Sequence, residues 1–297
     1  MAIPDLLRLL ILAAIWGGSF LFMRVAAPVL GPAFLVEGRS FFAAVFLLAL
    51  ALYLKKNNRL LKDWKHYAFM GFFNSALPFL LFAQASLHLS TSQLSTLNAT
   101  GPIWGYLIGV VLKIETLSLN RGIGLVLGFT GVGLLFGQVD TKLDDGVWIA
   151  VALGLSAACC YGLASNYAKK SKSIDPFDNA HGSMWASAFL LLPTLYFFPL
   201  QSEPTPSVWT SVLALGVVCS GIAYLFYFRL IENIGAASAL SVAFLIPLFG
   251  TLWGVIFMGE ELTWHVVFGM TVILLGTALV TQFNPVKLLK VSKSDSN

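Results

Sequence analysis

The sequence predicts an all-α integral membrane protein with ten transmembrane helices. They form two inverted five-helix repeats, with both termini cytoplasmic. Three observations lead there. The 297 residues are 58% hydrophobic and 11% charged, with mean hydropathy +0.82, whereas a soluble domain carries about 25% charged residues to face water. Runs of about 20 apolar residues, the length that crosses some 30 Å of hydrocarbon as a helix, recur between short polar breaks. The chain also repeats itself at an offset of 145: "PIWGYLIGVVLKIETLSL" at 102–119 shares its Pro, Gly, Gly, Glu and Leu with "PLFGTLWGVIFMGEELTW" at 247–264.

The apolar runs place spans near 6–27, 33–54, 66–87, 91–112, 119–138, 146–168, 179–200, 208–231, 236–258 and 263–283. Loops this short make neighbouring spans antiparallel. With the N-terminus inside, fifteen of the eighteen Lys and Arg residues fall on the cytoplasmic side, and only Arg24, Arg39 and Lys142 oppose them. That separation is what the positive-inside rule demands, and a miscounted span would scramble it. The net charge of +4 is therefore a topology signal and calls for no nucleic acid. The first span is not expected to be a cleaved leader, because "WGGSFLFMR" at 16–24 has an internal counterpart in "YGLASNYAK" at 161–169.

The offset aligns Gly17 with Gly162, Trp64 with Trp209, Ser75 with Ser220, Glu115 with Glu260 and Gly131 with Gly276. The expected division is a first repeat at 1–138, an extracytoplasmic connector at 139–145, a second repeat at 146–283 and a cytoplasmic tail at 284–297. Five is odd, so the second copy enters the membrane upside down, a recurring plan of secondary transporters.

Several stretches resemble the bacterial EamA type of ten-helix permease in the drug/metabolite transporter superfamily: "LAAIWGGSF" at 12–20, the arginine of "VEGRSFFAA" at 36–44, and the run from "AYLFYFRLIENIG" to "LLGTALV" at 223–280. The resemblance covers about residues 6–283. It implies an alternating-access carrier, often an exporter of amino acids or related metabolites, with a cavity between the repeats. Lys113 and Ile114 depart from the pattern, as does Glu37 beside the arginine.

Thr91, Ser95, Asn98, Pro102, Gly105 and Gly109 form one stripe of a helix. Pro102 and Pro247 withdraw a donor from the carbonyls four residues earlier, so both helices are expected to kink near mid-membrane and expose polar backbone to a wet cavity; a packing kink is the competing reading. Gly105, Gly109, Gly250 and Gly254 form small-xxx-small pairs, expected at tight helix seams. Substrate-binding candidates are Trp16, Arg39, Asn74, Ser75, Asn98, Tyr161, Ser220 and Tyr224, because polar groups inside spans face protein or cavity. Ser19 joins them at mid-depth, and Gln84 and Tyr227 are weaker candidates. Helix–helix bonding competes with ligand contact for each one. Arg39 could hold a carboxylate or snorkel, and Glu37 is the residue a coupling proton would use. Glu115 and Glu260 read as loop residues, each three positions before a Ser118 or Thr263 placed to cap the next helix.

Cys159, Cys160 and Cys219 lie in spans and read as packing residues. No metal is expected, because no two histidines have ligand spacing, and no cofactor or catalytic residue is expected. A phosphate-binding G-x-x-x-x-G-K-[ST] loop, which an ATP motor would need, does not occur. The function expected is a secondary transporter of small neutral, zwitterionic or amphipathic solutes, amino acids or related metabolites, working in efflux across a bacterial inner membrane. Its partners are the solute and the bilayer, with a coupling proton, a monomer and a homodimer all left open. The alternatives are an intramembrane lipid-modifying enzyme, which would want clustered His, Asp or Glu, and a carrier of phosphorylated or nucleotide sugars, which would want more buried cations.

Overall fold

The computed structural model describes residues 3–56, 62–137, 146–171 and 174–283. The middle of the basic loop (57–61), the whole expected connector with Lys142, Lys172 and the expected tail lie outside the described residues. The described chain is all-helical. In order the helices are α1 Ile3–Tyr53, α2 Trp64–Gly71, α3 Leu77–Ala85, α4 Thr91–Asn98, α5 Gly101–Val111, α6 Leu119–Phe136, α7 Val147–Lys170, α8 Pro176–Phe197, α9 Pro206–Leu213, α10 Ala223–Ile234, α11 Ala236–Ala239, α12 Val242–Met258 and α13 Trp264–Thr281. A π-helical stretch, Phe72–Ala76, joins α2 to α3, and a second, Ala214–Ile222, joins α9 to α10. Six continuous helical segments among the described residues are long and apolar enough to cross a membrane: Ile3–Tyr53, Trp64–Ala85, Leu119–Phe136, Val147–Lys170, Pro206–Ile234 and Trp264–Thr281.

A straight helix of 51 residues would be about 75 Å long, more than twice a bilayer core. α1 is not straight. Gly31 sits at φ 76, ψ 152 between Pro28 and Pro32, a conformation that is essentially glycine's alone. The break releases backbone carbonyls, and the Val29 carbonyl accepts a bond from the Ser202 amide at 3.0 Å.

Close packing comes from paired glycines. α1 packs on α12, α5 on α7 and α6 on α13. A Cβ at Gly17 would lie 2.8 Å from the Gly250 nitrogen, and one at Gly162 would lie 2.8 Å from the Gly105 nitrogen. These two crossings exchange under the 145-residue offset. So do two others: a Cβ at Gly124 would stand 2.7 Å from the Gly276 oxygen, and one at Gly131 3.0 Å from the Gly269 oxygen. Inside, Leu12, Phe82, Leu97 and Met184 are fully buried. Outside, Ile11, Val126, Phe189 and Phe257 are 44–66% exposed. An apolar exterior of this extent suits lipid rather than water.

Pro102 acts differently from the expectation of a kink. The chain breaks in a turn at Ala99–Thr100, and Pro102 opens α5 rather than bending a longer helix. A proline in the first helical turn loses no bond, because its amide would have no partner there anyway. The carbonyl exposed by the break is satisfied, since Thr277 Oγ1 donates to the Ala99 oxygen at 2.9 Å. In the second copy the break falls at Leu240–Ser241, and Pro247 lies within α12.

Candidate solute-binding site

A cavity of about 600 Å³ lies at the centre of the bundle. Its closed end is aromatic. Trp16 packs edge-on to Tyr224 with centroids 6.5 Å apart and against Tyr227 at 5.4 Å. Phe82 stacks on Tyr161 at 6.3 Å and meets Phe20 edge-on at 5.3 Å. Trp16 Nε1 donates to the Cys219 carbonyl at 3.1 Å, which fixes the indole across the two halves of the chain.

Arg39 is the charged group of this chamber and is only 5% exposed. Its Nε donates to Ser220 Oγ at 3.0 Å, and its guanidinium carbon stands 3.6 Å over the Phe79 ring. None of the ion pairs among the described residues includes Arg39. A buried cation without a counter-charge is costly, and a cation–π contact offsets part of that cost. The remaining guanidinium N–H groups suit a planar anionic acceptor.

The π-helical stretches help to position these groups. Asn74 lies in the first, Cys219 and Ser220 in the second, and all three line the cavity. A π turn widens the helix locally and rotates side chains relative to a regular α-helix, which is why such turns gather at functional sites.

The cavity continues from this chamber past Asn98, Gly101, Pro102 and Gly105 to Glu115, Arg121 and Lys169. Glu115 accepts from Arg121 at 2.8 Å and from Lys169 at 2.9 Å. These two cations hold its carboxyl below the ordinary carboxylate range. At the other end of the bundle, Glu260 accepts from the Thr91 amide at 2.6 Å, the Ser92 amide at 3.1 Å and Ser92 Oγ at 2.6 Å, with Arg24 at 3.4 Å. Thr91 and Ser92 are buried.

With this geometry in view, the family pattern is decisive. The EamA-like transporter pattern matches the chain twice, over residues 5–137 and 148–282. The chain belongs to the EamA-like transporter family. This EamA-like protein is similar to the uncharacterized transporter YoaV of Bacillus subtilis, 24% identical over 93% of this chain and 96% of that one. It is similar as well to the uncharacterized transporter YvbV of the same organism, 26% identical over 92% and 90%. Protein PagO of Salmonella typhimurium is 26% identical over 78% of each chain. A solved crystal structure of a chain 17% identical superposes with TM-score 0.66 over 94% of this chain and 97% of its own, which speaks for the fold alone.

Of the residues singled out in the sequence, Trp16, Arg39, Asn74, Asn98, Tyr161, Ser220 and Tyr224 line the cavity of this EamA-like protein, as do Ser19, Pro102, Gly105 and Tyr227. Ser75 is not among the lining residues: it is fully buried, and its Oγ has no partner among the described residues. Glu37 is also outside the lining, with a buried Oε2 that lacks a partner among the described residues. Gly105 and Gly250 sit at helix crossings, Gly109 faces both Glu115 and Asn166 of α7, and Gly254 faces its own glutamate. A Cβ on Gly109 would lie 2.8 Å from Glu115 Cγ, and one on Gly254 2.7 Å from Glu260 Cδ. Ser118 and Thr263 do occupy cap positions with extended backbone, but neither side chain makes a cap bond. The sequence reading missed Met23, Met70, Phe79 and Phe82, which complete the apolar wall. Phe82 lies eight residues after Asn74, a spacing that returns near the same helix face, and this was the available signal. Among the described residues no cluster of His, Cys, Asp or Glu could hold a metal ion.

Proposed function

We propose that this protein is a secondary carrier that exports small amphipathic carboxylate-bearing solutes, amino acids or related zwitterions, by alternating access. In this reading the chain crosses a bacterial inner membrane ten times as two inverted five-helix repeats with cytoplasmic termini. The observation that carries the solute class is the buried Arg39 at the end of an aromatic chamber, which forms no ion pair among the described residues. A carboxylate supplies the missing charge, and the surrounding rings take an apolar body. Phosphorylated and nucleotide sugars are disfavoured, because multiple negative charges would be desolvated against one guanidinium. The reciprocal glycine crossings support the alternating mechanism, since two like halves in opposite senses have two related packings.

Counterflow in proteoliposomes tests this. Vesicles loaded with an unlabelled amino acid should accumulate labelled solute, with trans-stimulation that a channel lacks. Replacing the solute by its carboxamide should abolish the stimulation. Equal transport of acid and amide would overturn the role given to Arg39, and flux without trans-stimulation would overturn the carrier.

A further inference from the structure

The two repeated glutamates occupy different states at the two ends of the molecule. Glu115 and Glu260 are related by the 145-residue offset, and so are their basic neighbours Lys169 and Arg24. Their local folds agree as well: the Glu115 amide donates to the Gly109 oxygen at 3.0 Å, and the Glu260 amide to the Gly254 oxygen at 3.1 Å. Their carboxylates do not agree. Glu260 is bonded to the first two amides of α4 and to Ser92 Oγ, which ties the end of α12 to the start of α4. Its side chain is 11% exposed, and neither it nor Arg24, Thr91 or Ser92 lines the cavity. Glu115 is bonded to Lys169 and Arg121 and lines the open mouth.

We propose that these glutamates are alternating latches, and that the state described here is the one with the Glu260 latch closed and the Glu115 latch open. When the cycle turns over, Glu260 releases Thr91 and Ser92, and Glu115, its mate in the first repeat, leaves Lys169 and Arg121 to close the other end. Charge-assisted bonds to backbone amides at a helix start are strong yet break without unfolding anything. The glycine under each glutamate leaves room for the carboxylate to cross its own helix. The proposal rests on the alternating-access reading, but its test needs no solute.

A background with Cys159→Ser, Cys160→Ser and Cys219→Ser removes the native thiols. Reporter cysteines are then placed singly at Ser95, between the chamber and the Glu260 end, and at Ser165, in the open path. A membrane-impermeant maleimide is applied to right-side-out and inside-out vesicles. Glu260→Gln should raise labelling at position 95 and lower it at 165, by about tenfold if bonds to a charged group are lost. Glu115→Gln should move both rates the opposite way, and Glu260→Asp should restore part of the original pattern. Unchanged rates in both variants, at normal membrane levels, would overturn the latch even if counterflow succeeds. Opposite shifts without counterflow of any solute would leave the latch standing and remove the carrier reading instead.

Discussion

Gly17 and Gly250 meet so closely that a Cβ on the first would stand 2.8 Å from the amide nitrogen of the second. Backbone cannot give way as a side-chain tip can, so a larger residue at this crossing must push α1 off α12. Gly17→Val should destabilise the protein by about 3 kcal/mol or more. Gly133, with nothing near its absent Cβ, is the control: Gly133→Ala should be neutral or stabilising by up to about 1 kcal/mol. Thermal unfolding in detergent, with both variants beside the wild type, checks the contrast.

Asn98 ends α4 where the chain breaks, and it lines the cavity. Asn98→Leu should leave the folded protein in the membrane and raise the half-saturating solute concentration in counterflow roughly tenfold, the value of one or two lost polar contacts. Unchanged kinetics would remove Asn98 from the site.

Arg39→Lys should fail to restore function. The ammonium can carry the charge, but it lacks the planar fork that would serve Ser220 and the proposed solute carboxylate together, and it stacks less well on Phe79. Counterflow should fall at least as far as about tenfold, with membrane abundance unchanged on blots.

Thr277→Val removes the donor that satisfies the Ala99 carbonyl at the break between α4 and α5. An orphaned buried carbonyl costs about 1–3 kcal/mol. Thr277→Ser keeps the hydroxyl and should recover most of the loss in the same unfolding assay.

Glu115 gives a pH prediction with a defined sign. Its carboxyl is held below the ordinary value of 4.5 by Lys169 and Arg121. A lowered carboxyl pKa contributes stability above the unfolded value and loses it as pH falls through the folded one. The difference in unfolding temperature between wild type and Glu115→Gln should be constant from pH 8 down to pH 6. It should shrink only below 4.5. A difference that disappears near pH 6 would contradict the ion cluster.

Much of the architecture was legible because it depends on residues with no substitute. Gly17 and Gly162 stand where a Cβ would strike the backbone of Gly250 and Gly105, so a punctuation that looked like repetition marked the helix crossings. The cavity set was legible for a related reason: polar and aromatic groups such as Trp16, Asn74 and Tyr224 have few places in a bilayer except around a wet space. What stayed hidden was pairing between distant residues. Nothing in the run around Glu260 announces Thr91 as its partner, because a carboxylate–amide bond is indifferent to the side chain that owns the amide. Ser75 misled for the converse reason. It aligns with Ser220, yet Ser220 meets Arg39 while the Ser75 hydroxyl has no partner among the described residues. The helix breaks at Ala99–Thr100 and Leu240–Ser241 were displaced from where the prolines pointed, since a proline is as content to begin a helix as to bend one.

That unequal pair of serines bears on what can be carried. The halves are related in sequence, but only one of them brings a buried guanidinium to the chamber. A molecule held there is gripped by a single pole, so it needs a distinct head and tail and must sit the same way round whichever doorway is open. In the carrier proposed above, direction of travel would then reverse without the cargo ever turning over.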